Sequence, residues 1–158
     1  MHKAFLSKVI SINMSTIIPI GSDHAGFKMK EVLRKYLKNK GIKVHDKGTF
    51  SEDRADYPDF GHAVANAIVA GEAESGILLC GSGNGIAMSA NKHKGIRAAL
   101  CWKEEIAQLA RQHNNANILV LPARYISEEE AKKCVDAFLQ EKFEGGRHQD
   151  RIQKIDVC

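Results

Sequence analysis

The sequence predicts a three-layer α/β domain: a five-stranded parallel sheet between helices, closed by a C-terminal helix. Two observations carry that prediction. From Thr16 onward, five short apolar runs alternate with amphipathic stretches of helical spacing, the pattern of successive βα units. The chain has 158 residues, 44% hydrophobic and 27% charged, which suits one globular domain. No apolar run approaches the roughly 20 residues that span a bilayer, so a membrane protein is excluded.

The elements follow in order. Ile17–Ile20 reads as the first strand, with Pro19 tolerable only where its missing N–H faces an edge or a bulge. Phe27–Asn39 carries Met29, Val32, Leu33, Tyr36 and Leu37 at helical spacing with lysines between them, and Gly41 stops it. Ile42–His45 is the second strand, and Asp46–Tyr57 a polar loop. Pro58 suits the first turn of a helix with Phe60, Ala63, Val64, Ala67 and Ile68 on one face. Gly76–Cys80 is a compact strand, followed by the turn Gly81–Gly85 and a short helix to His93. Ile96–Cys101, Glu104–Asn114 and Asn117–Leu121 give strand, helix and strand. Ser127 and Glu130 have the spacing of a capping box, opening a helix that bears Ala131, Cys134, Val135 and Phe138. Gly145–Gly146 ends that helix, and Arg147–Val157 is a last, basic one.

The net charge is +4, of which Lys3 and Lys8 supply two; the remainder is too small for a nucleic-acid-binding stripe. Four cysteines (Cys80, Cys101, Cys134, Cys158) contain no CxxC pair and point to a reducing cytoplasm. The start MHKAFLSKVISINM is no secretory signal, since Lys8 interrupts its apolar stretch and no small-residue cleavage site follows. Residues 1–15 are expected to be a disordered N-terminal extension, with Met14 as an alternative start, and residues 16–158 a single domain.

In parallel sheets ligands sit beyond the carboxyl ends of the strands. Asp23–His24, Asp46–Tyr57, Cys80–Gly85, Cys101–Trp102 and Arg124 all follow strand ends and are expected on one rim. The sharpest feature there is Cys80-Gly81-Ser82-Gly83-Asn84-Gly85, at a strand end and opening a helix. Alternating glycines let the backbone approach a ligand, and their N–H groups suit an anion. A thiol in this field is expected to ionise more easily and to serve as base or nucleophile. The spacing is GxGxG, and neither the dinucleotide fingerprint nor a P-loop fits. The competing reading is a tight strand–helix turn with a half-buried cysteine.

Other candidates carry ordinary alternatives. Asp23 is also a natural helix N-cap. His24 has no metal-ligand spacing with the other six histidines, so no metal site is expected. His113, on the face of Ile106, Leu109 and Ala110, reads on its own as a packed histidine or C-terminal cap sooner than as a catalyst. Arg147 and Arg151, one turn apart with Lys154 beyond, form either a phosphate grip or a solvated basic face. Cys134 reads as core, while His2, His45, His62 and His93 read as surface or packing residues.

Taken together, Gly21-Ser22-Asp23-His24-Ala25-Gly26, Asp46-Lys47-Gly48, Asp56-Tyr57-Pro58, the glycine loop, Ser89-Ala90-Asn91-Lys92, Arg111-Gln112-His113-Asn114 and Glu144-Gly145-Gly146-Arg147-His148 resemble the type B ribose-5-phosphate isomerase family. The motifs run in family order and cover nearly everything after Thr16. The resemblance implies a Rossmann-like αβα subunit, working as a homodimer or tetramer, that interconverts ribose 5-phosphate and ribulose 5-phosphate without metal or organic cofactor. By position it implies Cys80 as the base, Ser82 in support and His113 as the ring-opening acid. It further implies that Gly81, Gly83, Asn84 and Gly85 lie at the enediolate oxygen. Asp23, His24, Tyr57 and Asn114 would meet the sugar, and Arg124, Arg147 and Arg151 the phosphate. Another branch of the family uses a glutamate just past the glycine loop; this chain has Ile86 there and fits the cysteine branch.

If the helix bearing His113 runs antiparallel to its strand, His113 ends at the opposite rim from Cys80. His113, Asn114 and the two late arginines are then expected to complete a neighbouring subunit's pocket. The competing functions are isomerisation of a 6-phosphohexose on the same fold and non-catalytic binding of phosphorylated sugars. A thiol, a serine and a histidine together argue against the second.

Overall fold

The computed structural model describes residues 16–157, so the expected N-terminal extension and Cys158 lie outside the described residues. The order is β1 (Ile17–Ser22), α1 (Phe27–Asn39), β2 (Lys43–Asp46), α2 (Tyr57–Val69), β3 (Gly76–Cys80), α3 (Asn84–Ala90), β4 (Ala98–Leu100), α4 (Glu104–Asn114), β5 (Ile118–Pro122), α5 (Glu128–Gln140) and α6 (Arg147–Ile152). All strand pairs are parallel, in the order β2-β1-β3-β5-β4.

Side chains alternate across each strand and divide the core into two layers. Ile77 and Leu79 join Ile18, Ile20, Leu119 and Leu121 beneath α1, α4 and α5. Leu78 and Cys80 face the other way, with Val120, beneath α2 and α3. The chain thus leaves β1 for one face and its neighbour β3 for the opposite face. The crevice beyond these two strand ends is the topological switch point, where open α/β sheets bind ligands.

Several details differ from the sequence expectation, each for a local reason. β1 runs two residues further, because Gly21 and Ser22 stay paired with Leu78 and Leu79 of β3. Pro19 sits in an interior strand, yet the ladder to β3 starts only at Ile20, beyond the position of the missing N–H. β2 begins one residue later than expected, since the Ile42 N–H is taken by Leu37 O at the end of α1. β4 is shorter at both ends, and α3 stops at Ala90. α6 ends at Ile152 and gives way to turns, so the expected helix to Val157 is about half realised. The capping box is half formed. Ser127 Oγ accepts from Glu130 N–H at 3.1 Å, but the Glu130 carboxylate accepts from Glu104 N–H at 2.7 Å and so opens α4 instead.

One lysine of α1 is not solvated. Lys30 shares a stripe with Leu33 and Leu37 and is fully buried. Its ammonium donates to both Asp46 oxygens at 2.8 and 2.9 Å and to Glu31 at 3.0 Å, and it lies over the Phe27 and Phe50 rings. A buried cation persists only with such partners. The Asp46 carboxylate also accepts from Gly48 N–H, so the pair anchors the start of the loop that leads to the site.

Candidate active site

At the switch point, Asp23, His24, Ala25, Cys80, Gly81, Ser82, Arg124 and Tyr125 line a cleft of about 250 Å³. A larger concavity, of about 750 Å³, lies outside α1 and β2 among Arg34, Lys35, Lys38 and Lys43. It contains none of the predicted site residues. Chemistry selects the smaller cleft.

Asp23 leaves the end of β1 and is not the N-cap expected of it, since that position of α1 falls on Gly26. Its Oδ1 accepts from Gly26 N–H at 3.0 Å, bracing the turn into α1, while Oδ2 accepts the Cys80 thiol at 3.3 Å. The turn is tight because Gly26 packs on the backbone of Leu79, where a Cβ would come within 2.8 Å of its carbonyl oxygen. His24 Nδ1 faces both the carbonyl oxygen and the N–H of Ala55, at 3.1 and 3.2 Å, and pins the loop after β2 against the cleft.

The expectation of an easily ionised Cys80 is corrected by this environment. Burial, first, and then the Asp23 carboxylate push the Cys80 thiol above its ordinary range; the backbone N–H groups of Gly83 and Ile86 pull it down, as the glycine loop suggested, but do not prevail. The site therefore holds a thiol hydrogen-bonded to a carboxylate, an arrangement that favours the protonated sulfur.

The glycines above the thiol are required by their surroundings. Gly83 has φ +82°, and a Cβ there would collide with the Leu100 side chain. A Cβ on Gly85 would lie 2.6 Å from the Tyr57 ring, which rests on the loop from the first residue of α2. Ser82 and Asn84 are exposed, and Ser82 Oγ accepts from Asn84 N–H at 3.3 Å. Arg124 follows β5, its N–H donating to Gly81 O at 3.1 Å and its guanidinium lying over Gly81.

The remaining candidates are elsewhere. α4 runs antiparallel to the strands, so His113 and Asn114 reach the opposite rim, where with His148, Arg151, Ile152 and Ile155 they line a second cleft of about 300 Å³. Arg147 opens α6 beside them and is exposed. One chain thus brings Asp23, His24, Cys80, Gly81, Ser82 and Arg124 together, with Tyr57, Gly83, Asn84 and Gly85 next to them. It sets His113, Asn114, Arg147 and Arg151 apart.

Sequence reasoning missed three neighbours. Tyr125, 76% exposed, borders the first cleft; its place after β5 was the available signal. His148, buried, stacks on His113 with ring centroids 4.3 Å apart and planes 10° from parallel, and Glu144 faces both rings. Ligand atoms of His113, Glu144 and His148 lie within 4.8 Å of one another. In nearly parallel rings, however, the in-plane nitrogen lone pairs run side by side, whereas a metal needs them to converge at about 2.0–2.1 Å. Cys101 and Cys134 are buried, with thiols pushed up to about 12 chiefly by desolvation, and take no part.

The parallel sheet, with a thiol placed at its switch point, defines the class as a Rossmann-like α/β protein with a candidate nucleophile in its ligand crevice. Residues 18–155 match the family described as Ribose/Galactose Isomerase, and the chain belongs to that family. Ribose-5-phosphate isomerase B of Escherichia coli is 47% identical over 138 residues, 87% of this chain and 93% of that protein. A crystal structure of a ribose 5-phosphate isomerase from Thermotoga maritima superposes with a TM-score of 0.90 at 53% identity, covering 91% of this chain and 99% of that one. D-erythrulose-4-phosphate isomerase of Pectobacterium atrosepticum is 42% identical, with 87% of this chain and 91% of that protein covered. Among the described residues, no helix is long and apolar enough to cross a membrane.

Proposed function

We propose that this protein interconverts ribose 5-phosphate and ribulose 5-phosphate through an enediolate, with Cys80 as the base. The observation that carries the reading is the Cys80–Asp23 pair at the foot of the glycine loop. Proton removal beside a carbonyl requires a base and fixed donors where negative charge develops. The Cys80 thiolate takes the C2 proton of the open-chain aldose. The C–H electron pair becomes the C1–C2 double bond, and charge collects on O1, which faces the amides of Gly81–Gly85. Proton return to C1, with transfer of the O2 hydroxyl proton to O1 supported by Ser82, leaves the ketose. Asp23, His24 and Tyr57 orient the hydroxyls, and Arg124 holds the phosphate. Thiol and imidazole suffice, so no metal or organic cofactor is used.

His113 opens the furanose by giving a proton to the ring oxygen as the anomeric hydroxyl releases its own to solvent water. Its position at the far rim supports a site shared between two copies, in which His113, Asn114, Arg147 and Arg151 of one copy close the Cys80 cleft of the other. The working unit is then a dimer. The three described cysteines are free thiols, which favours the reducing cytoplasm.

The test is ribulose 5-phosphate formation by the purified protein and its Cys80→Ala variant, with and without EDTA. D-Erythrulose 4-phosphate and 6-phosphohexoses are assayed beside it. Turnover of the pentose that survives EDTA and vanishes in the variant is expected. A folded protein that turns over only another sugar phosphate contradicts the pentose assignment, and one that turns over none contradicts catalysis.

A further inference from the structure

The motif Glu144-Gly145-Gly146-Arg147-His148 does more than present an arginine. Gly145 and Gly146 have φ of +69° and +57°, and the turn they make brings residues on both sides of it back to the end of α4. Glu144 N–H donates to Gln112 O at 3.0 Å, and Gln112 Nε2 donates to Glu141 at 2.7 Å, so this segment is tied to the residue preceding His113. The His148 ring, buried, then stacks face to face on His113. One carboxylate oxygen, Glu144 Oε2, lies 3.8 Å from His113 Nε2 and 3.6 Å from His148 Nε2.

We infer that His148 and Glu144 are positioning residues for His113, fixing the plane of its ring and holding a single proton shared across the stack. The catalytic part of this inference rests on the reading of His113 as the ring-opening acid. Two imidazolium ions cannot stack face to face at this distance without strong repulsion, whereas one imidazolium and one neutral ring, bridged by a carboxylate, are mutually stabilising. The charged groups facing the pair are Glu144 from the segment before α6 and Arg147 and Arg151 from α6 itself. The arginines oppose a second proton and the carboxylate supports the first. Burial, His113 and Arg147 hold the His148 ring below the ordinary imidazole range.

The test is an NMR titration of the histidine side chains in wild type, Glu144→Gln and His148→Phe, without substrate, followed by pH profiles of kcat/KM on ribose 5-phosphate. In wild type the two rings are expected to titrate as a coupled pair, the second proton entering well below the ordinary imidazole range. Glu144→Gln lowers the first step by roughly one pH unit. His148→Phe leaves His113 with one uncoupled step. The falling limb of kcat/KM moves down with the first step in Glu144→Gln, and Glu144→Asp restores it. A His113 titration identical in all three proteins overturns the pairing. If His148→Phe fails to fold, the exposed Glu144→Gln substitution decides alone. Coupled titration in a protein that does not isomerise the pentose supports the pairing and counts against the role given to His113.

Discussion

Cys80 donates its thiol hydrogen to Asp23 across 3.3 Å, and this carboxylate, together with burial, opposes the charge that the proposed base must acquire. A raised thiol value means that the thiolate, and the activity that needs it, grow in as pH rises through that value. Asp23→Asn removes the like charge, so the thiol ionises at lower pH, and the rising limb of kcat moves down with it. Ultraviolet thiolate absorbance read against pH checks this apart from activity. An unmoved thiolate titration contradicts the role assigned to Asp23.

Gly85 and Tyr57 form a contact that admits no side chain on the loop. Gly85→Ala places a Cβ 2.6 Å from the Tyr57 ring. The ring or the loop must shift, at a cost of about 1–3 kcal/mol in folding or in loop geometry. KM for the sugar phosphate is expected to rise. Adding Tyr57→Ala is expected to return the lost stability, and a double-mutant cycle measures the coupling. Additive effects would refute the steric account.

Lys30 offers a test of the scaffold. Lys30→Met leaves Asp46 with Arg34 at 3.2 Å as its remaining cationic partner. Removing one member of a buried ion pair costs about 3 kcal/mol, which for a domain of this size lowers Tm by roughly 6–12 °C. Asp46→Asn on the same background is expected to recover most of the loss, because the amide keeps an acceptor for Gly48 N–H without a buried charge. Since the loop begun by Asp46 carries the Ala55 backbone that holds His24, KM is expected to rise as well.

The fold was largely legible because β1, β3 and β5 are short, apolar and buried while the helices keep amphipathic spacing: strand Gly76–Cys80 and helix Phe27–Asn39 fall where their composition places them. Half of the site was legible for a related reason. Residues that follow parallel strands must share a rim, which collects Asp23, Cys80 and Arg124 without any distance being known. What periodicity cannot show is partnership across the fold. Lys30 looks like any helix-surface lysine until Asp46, sixteen residues away, is folded beneath it. Glu130 has capping-box spacing, yet its carboxylate finds a second helix nearer than its own N-cap. The direction of the Cys80 shift depended on burial and on Asp23, fifty-seven residues distant, which together outweigh amides only a few residues away. The His113–His148 stack required the path of the chain through Gly145 and Gly146.

The central claim is that Cys80 of one copy and His113 of another make one catalytic site. Co-expressing Cys80→Ala and His113→Asn chains measures it directly. Each variant alone is expected to be inactive. Hybrid dimers, about half of the population, would each carry one intact site, so the mixture should recover about a quarter of wild-type turnover of ribose 5-phosphate. A mixture as inactive as its parents, with hybrid dimers shown to be present by mass, would contradict the shared site.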